Sequence, residues 1–136
     1  MSHFTRVRTT LTDTATLAAA LRELGFAEVE VHDTAQALHG HRGDVRPETA
    51  EVIVRRQHLG IASNDLGFAR REDGSYEAIV SEFDRRKYGE AWMKKLLSTY
   101  GYLTAVAFAE QHGFAIATDE VETEGTRRLT LRRTVV

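Results

Sequence analysis

The sequence predicts an α+β fold, a single two-layer domain over residues 1–136 with a mainly antiparallel sheet, one short helix and one long one. Three observations carry this reading. Short segments that alternate apolar and polar side chains recur along the chain, as half-buried strands do. Two segments show helical spacing instead, and the second is the longest element of the chain. Consecutive strands are joined by short turns, which favours antiparallel pairing, with the long helix lying across one face of the sheet.

Residues 4–11 alternate, with Thr5, Val7, Thr9 and Leu11 on one side and Arg6, Arg8 and Thr10 on the other, so they read as a first strand rich in β-branched residues. Thr12 or Asp13 then caps a short helix. Leu17, Leu21 and Leu24 fall at i, i+4 and i+7, and Gly25 stands where a left-handed residue ends a helix. Residues 28–32 alternate again, with Val29 and Val31 inward. A small-residue stretch follows, and then a loop at residues 39–46, HGHRGDVR, leading into the chain's only proline, Pro47. Residues 52–57, 66–71 and 76–83 read as three further strands, and Asp73-Gly74 between the last two signals a tight hairpin.

The long helix is expected over residues 90–111. Met93, Leu96, Leu97, Tyr100, Thr104, Ala107, Phe108 and Gln111 trace one stripe, Glu90 and Lys94 form an i,i+4 pair in the favourable order, and Gly113 stops the helix. Such a helix spans roughly 30 Å, enough to cover a sheet. Residues 114–118 and 127–133 close the chain as strands around a polar turn containing Gly125. The predicted order is β-α-β-β-β-β-α-β-β.

Composition narrows the function classes. The chain has 136 residues, 42% hydrophobic and 28% charged, in the ordinary range for a globular domain. It has no cysteine, which excludes disulfides, thiolate catalysis, zinc–thiolate sites and iron–sulfur ligation. With 18 basic and 20 acidic residues the formal charge is −2, so no global basic field draws it to nucleic acid or anionic lipid. The N-terminal residues show no signal-like apolar run, and no stretch approaches the roughly 20 apolar residues of a membrane helix. The expectation is a cytoplasmic protein, without membrane or nucleic-acid partners.

Several short motifs, in order, resemble a known family. MSHF runs directly into a strand, Arg42-Gly43 precedes the third strand, NDLGF spans residues 64–68, YGY spans residues 100–102, and a β-hairpin ends the chain. In this the chain is similar, over nearly its whole length, to the hypothetical chloroplast frame thirty-five family of cyanobacteria, algal plastids and other bacteria. It departs from the family pattern at His41, where a tyrosine usually precedes the arginine–glycine pair, and at Leu66, where isoleucine usually sits. The family has no established activity, so the resemblance supplies no catalytic residue and no cofactor. Its members are encoded near an AAA-type ATPase and small ferredoxin-like proteins, so the resemblance implies a protein partner, an AAA-type ATPase among them.

The 39–46 loop is the first candidate site. His39, His41 and Asp44 are nitrogen and oxygen donors of the kind zinc, copper or nickel accept, with His58 and Asp65 as further donors from the adjoining hairpin. Arg42 and Arg46 with Gly43 could instead bind an anion or an acidic partner, the arginines as forked donors and the glycine backbone as an N–H nest. The plain alternative is a solvated loop whose arginines pair with Asp44 or Glu48. The loop lacks a P-loop signature and does not lead into a helix, which argues against nucleotide hydrolysis.

Ser63, Asn64 and Asp65 form a second candidate, with Asp65 as base or ligand; the alternation of Leu66 and Phe68 favours a turn that anchors the next strand. The run Glu82–Tyr88 ahead of Trp92 mixes cations and aromatics, a pattern that binds single strands, but Glu82, Asp84 and Glu90 would repel phosphates. Arg55-Arg56, Arg70-Arg71, Arg127-Arg128 and Arg132-Arg133 each split between opposite strand faces. No serine sits in a recognisable nucleophile elbow. The sequence therefore points to a non-enzymatic binding or adaptor module that contacts its partner through the arginine loop and an open sheet edge; a metal-dependent or anion-binding enzyme built on the same loop is the alternative. An exposed edge also admits a homodimer.

Overall fold

A computed structural model describes residues 3–121 and 127–133 of the chain. Its elements are β1 (Phe4–Arg8), α1 (Thr14–Glu23), β2 (Glu30–His39), β3 (Val45–Val54), β4 (Leu66–Arg70), β5 (Tyr76–Ser81), α2 (Glu90–His112), β6 (Phe114–Val121) and β7 (Arg127–Arg133), with single 3-10 turns at Arg56–His58 and Asp84–Arg86. The order is the one the sequence predicts. Strands β1 to β5 form one antiparallel sheet in the order β1-β5-β4-β3-β2, and β6 pairs with β7 apart from it. The protein is thus an α+β structure with one short and one long helix.

Alternation sorts the sheet's side chains onto two faces. Val52 and Val54 of β3, Leu66 and Phe68 of β4, and Tyr76, Ala78 and Val80 of β5 share the main core with Leu17, Ala20 and Leu21 of α1 and Leu96 of α2. The residues between them, Ile53 and Ile79, join Leu38 and Ala50 in a small cluster on the opposite face, with Phe4 and Ala69 against it. Gly67 lies on that second face. A Cβ there would stand 2.8 Å from the Ala50 Cβ and 2.9 Å from a Leu38 methyl, so the outer half of the β2–β3 hairpin closes over β4 only because residue 67 has no side chain.

The capping signals form as expected. Asp13 accepts the Thr16 N–H at 2.9 Å at the start of α1, and left-handed Gly113 (φ 71°) ends α2. Asp73 accepts from the Ser75 N–H, and Gly74 takes φ 86° in the β4–β5 turn. The turn around Gly125 lies outside the described residues.

Two expectations need correction. The first concerns β2, which continues through the small-residue stretch to His39, while β3 starts at Val45. The expected loop is therefore a short turn between two ten-residue strands. Register shifts between Val31 and Gln36, and between Ala37 and His39, break the alternation that would have revealed the strand. Pro47 is tolerated because β3 pairs with β4 only from Val52 onward, so it lies where β3 has a single partner.

The second correction concerns α2. Its first half meets α1 and the core through Leu96, with Trp92, Met93, Tyr100 and Leu103 packed against that core. Its second half turns a different side inward, where Ala109 is buried and β6 and β7 pack, and does not continue over the sheet. Of the expected stripe, Leu97, Thr104, Ala107, Phe108 and Gln111 are exposed.

Candidate functional site

The turn at residues 40–44 is built by its glycines. The Gly40 N–H donates to the Asp44 carbonyl at 2.8 Å, and the Gly43 N–H to the Gly40 carbonyl at 2.9 Å. Gly43 has φ 78°, a conformation that L side chains rarely adopt. The turn is then fastened to the strand beside it. Asn64 Oδ1 accepts the His41 N–H at 2.9 Å, Asp65 Oδ2 accepts the His39 N–H at 2.6 Å, and the Asp65 N–H returns a bond to the His39 carbonyl at 2.9 Å.

Behind this fastening lies a buried polar network. The Asp65 side chain, 0% exposed, also accepts from the Arg56 N–H at 2.7 Å and from Arg55 Nη1 at 2.8 Å. Arg55 bridges onward to the Ala37 carbonyl at 3.0 Å and to both Glu30 oxygens at 2.8 and 3.0 Å. His32 stands 2.8 Å from Glu30. The Arg55 hydrogen bonds, with help from His32, hold Glu30 below the ordinary carboxylate range, and the Glu30 bond in turn raises Arg55. Next to this chain, the Asn64 side chain donates to Ser81 Oγ at 2.9 Å, and Ser81 donates to Asp84 at 2.8 Å. Asp84 also accepts the Asn64 N–H at 2.9 Å. A fully partnered network of this kind fixes geometry and leaves no free base or nucleophile.

The predicted ligands and donors are therefore dispersed. His39 and His41 use their backbones to hold the turn. Asp44 lies 3.8 Å from Arg46, and His58 pairs with Glu28 at 3.2 Å. Among the described residues no group of three His, Asp or Glu side chains is placed to hold a metal ion. Arg46 does not join Arg42. Its side chain is 12% exposed, covers the Phe4 ring with its guanidinium carbon 5.4 Å from the centroid, and also lies 4.0 Å from Glu48. Arg42 and Gly43 remain at the exposed tip, and Arg42 enters no ion pair among the described residues. Arg70 and Arg71 divide as expected, Arg70 covering Tyr76 on the helix face and Arg71 bonding Glu77 at 2.7 Å on the other. Arg55 and Arg56 do not, because β3 ends at Val54 and both lie at the 3-10 turn, where each bonds Asp65.

Sequence reasoning missed a cleft beside the network. Two adjoining hollows of about 410 and 470 Å³ share Leu59, Lys87 and Tyr88. Ile61 and Phe83 line one, and Phe26, Trp92 and Lys95 the other. Phe26, Tyr88 and Trp92 form an aromatic cluster, with Tyr88 edge-on to Trp92 at 5.3 Å. Arg86 rests over Phe83 at 4.7 Å and Lys87 over Tyr88 at 5.6 Å. Arg86, Lys87 and Lys95 are exposed and enter no ion pair among the described residues. The mixed run at residues 82–88 was a usable signal: its cations face outward, and of its two acids Asp84 is turned into the network while Glu82 stays exposed.

Comparison with known proteins gives one family. The model of a family described as a protein of unknown function, DUF1257, matches residues 20–130, and the chain belongs to that family. No curated protein and no solved structure matches. No helix among the described residues is long and apolar enough to cross a membrane.

Proposed function

We propose that this DUF1257 protein is a non-catalytic binding module whose cleft takes an acidic segment of a protein partner, anchored by an apolar side chain. One observation carries the reading: Leu59, Tyr88 and Trp92 floor a cleft rimmed by Arg86, Lys87 and Lys95, cations in no ion pair among the described residues. An aromatic floor supplies the desolvated anchor site that dominates binding energy, and rim cations steer a partner of opposite charge and set its specificity. Arg42, exposed on the held turn, offers the same charge to the same kind of partner. The carboxylates best buried for acid–base work, Asp65 and Asp84, are already committed to the network.

The finer identification with the hypothetical chloroplast frame thirty-five family is supported by the order of its motifs along this chain. With it comes an AAA-type ATPase as the class of partner, and a cytoplasmic site of action. Trp92 is the chain's single tryptophan, so its emission reports directly on the cleft. Titration with a peptide carrying one leucine among glutamates should shift that emission. A Lys87→Glu, Lys95→Glu variant should weaken binding by about tenfold or more, the change expected when two rim attractions become repulsions. Equal binding of a lysine-rich peptide with the same leucine refutes the reading, and so does tighter binding of a single-stranded oligonucleotide.

A further inference from the structure

The five-stranded sheet ends in two unlike edges. β2, at one end, loses register twice, between Val31 and Gln36 and between Ala37 and His39. Such bulges are one way an edge strand resists pairing with another chain. β1, at the other end, keeps unbroken register with β5 from Phe4 opposite Ser81 to Arg8 opposite Glu77, and it contains no proline or glycine.

The bonds at the two ends of β1 show which of its backbone groups are already used. The Glu82 N–H donates to the His3 carbonyl at 2.8 Å, and the Thr9 N–H donates to the Tyr76 carbonyl at 3.2 Å. Bonded and non-bonded residues alternate along an antiparallel pair. Thr5 and Val7 therefore bond β5 together with His3 and Thr9. The N–H and C=O groups of Phe4, Arg6 and Arg8 point the other way, off the edge of the sheet, and no strand pairs with them among the described residues.

Side chains determine what this edge accepts. Phe4, Arg6 and Arg8 share the face opposite the helices, where Phe4 packs on the small cluster. Arg6 lies 3.3 Å from Glu77, but Arg71 holds that same carboxylate at 2.7 Å, so one acid serves two arginines. Arg8 is exposed and enters no ion pair among the described residues. On the helix face Val7 packs against the main core. An incoming strand thus meets cations on one face and an apolar side chain on the other. A second copy of β1 does not fit. Full-length antiparallel pairing sets Arg6 directly against Arg6, and like charges so placed destabilise a ladder.

We infer that β1 is a strand-addition site for a partner segment that alternates acidic and apolar residues, paired antiparallel with its acids opposite Arg6 and Arg8 and its apolar residues beside Val7. Main-chain bonds supply the affinity of such an addition, and alternate side chains its specificity. The edge shares no residue with the cleft and does not depend on the cleft's occupant.

A short capped peptide with glutamates at alternate positions and valines between them tests this by calorimetry, with one peptide expected to bind per chain. In the inferred register the glutamate N–H groups face β1 and the valine N–H groups face away. N-methylation of the glutamates should therefore abolish binding, and N-methylation of the valines should leave it. An Arg6→Glu, Arg8→Glu variant with unchanged circular dichroism should bind about tenfold more weakly or worse, as attraction becomes repulsion. The Lys87→Glu, Lys95→Glu variant should bind this peptide as the wild type does, which separates the edge from the cleft. Equal binding of the two methylated peptides overturns the inference. So does equal binding of a lysine–valine peptide, no binding of the unmodified peptide, or binding lost in the Lys87→Glu, Lys95→Glu variant. A wild-type dimer that Arg8→Pro dissolves, through loss of an outward N–H, would give the edge to a second copy and overturn it as well.

Discussion

The five-stranded body and the outer arm, made of the second half of α2 with β6 and β7, stabilise themselves by different means. In the body, β4 and β5 pair on both sides, most of the largest fully buried side chains lie there, and the polar network around Asp65 and Asp84 joins residues far apart in sequence. In the arm, a two-stranded hairpin leans on one helix whose second half buries only Ala109 among its described side chains. Phe108 and Ile116 stay exposed there. A two-stranded hairpin is marginal by itself and needs an apolar surface to rest on. The body has the attributes of a self-sufficient fold. The arm has those of a smaller structure that leans on the helix it shares with the body.

The comparison is broken most forcefully at Asp65. Replacing it by alanine leaves the His39 and Arg56 N–H groups without their acceptor and removes one of the two carboxylates that Arg55 meets. Removing one partner of a buried, hydrogen-bonded charge typically costs about 3–5 kcal/mol. Urea unfolding of Asp65→Ala should therefore show a midpoint far below that of the wild type. A loss under about 1 kcal/mol, the range of exposed ion pairs, would place the network on the surface in solution and dissolve the contrast with the arm.

The legible and illegible parts of the sequence divide along similar lines. The last residues of β3, with β4 and β5, could be read because Val52, Val54, Leu66, Phe68, Ala78 and Val80 keep strict period two on a sheet with one main core face. Asp13, Gly25, Gly74 and Gly113 could be read because caps and turns are local chemistry. The second half of β2 could not, since bulges near Gln36 and Ala37 erase its period. Asn64 and Asp65 announced a turn correctly, but the bonds that give them their role reach residues 9 to 26 positions away, and no local pattern encodes those. The α2 stripe was detected and then assigned to the core. Spacing identifies one face of a helix but not what covers it, and Leu97, Thr104 and Phe108 share a period without sharing the core. The cleft residues come from four separate segments, so only folding assembles them.

The arm supplies the next, smaller effect. Ile116 on β6 is 39% exposed, so trimming it to alanine removes apolar surface that is only partly out of water. The expected loss is about 1 kcal/mol or less, against the 2–5 kcal/mol of a fully buried isoleucine. Ile53→Ala, in the cluster opposite the helices, is the matching measurement in the body. Equal losses at the two positions would mean that the arm is packed as tightly as the sheet.

The smallest effect is a matter of pH, at the solvent end of the network. Glu30 has an ordinary value of 4.5 and is held below it, first by the Arg55 hydrogen bonds and then by His32. A carboxylate lowered by folding stabilises the fold fully above its unfolded value, and that contribution fades as pH falls through its folded value. Glu30→Gln removes this contribution and little else. The stability gap between wild type and variant should be present near neutrality and narrow as pH falls below 4.5. Asp13, Asp73 and Glu77 are lowered as well, Glu77 because its bonds to Arg71 and Arg6 outweigh its burial. All three are present in both proteins and cancel in the difference. The Glu30 side chain is 38% exposed, so screening keeps the gap well below the effect at Asp65. Urea midpoints between about pH 6 and about pH 3 give the gap directly. If it stays constant across that range, Arg55 is held by Asp65 and the Ala37 carbonyl alone, and the network ends one residue short of the surface.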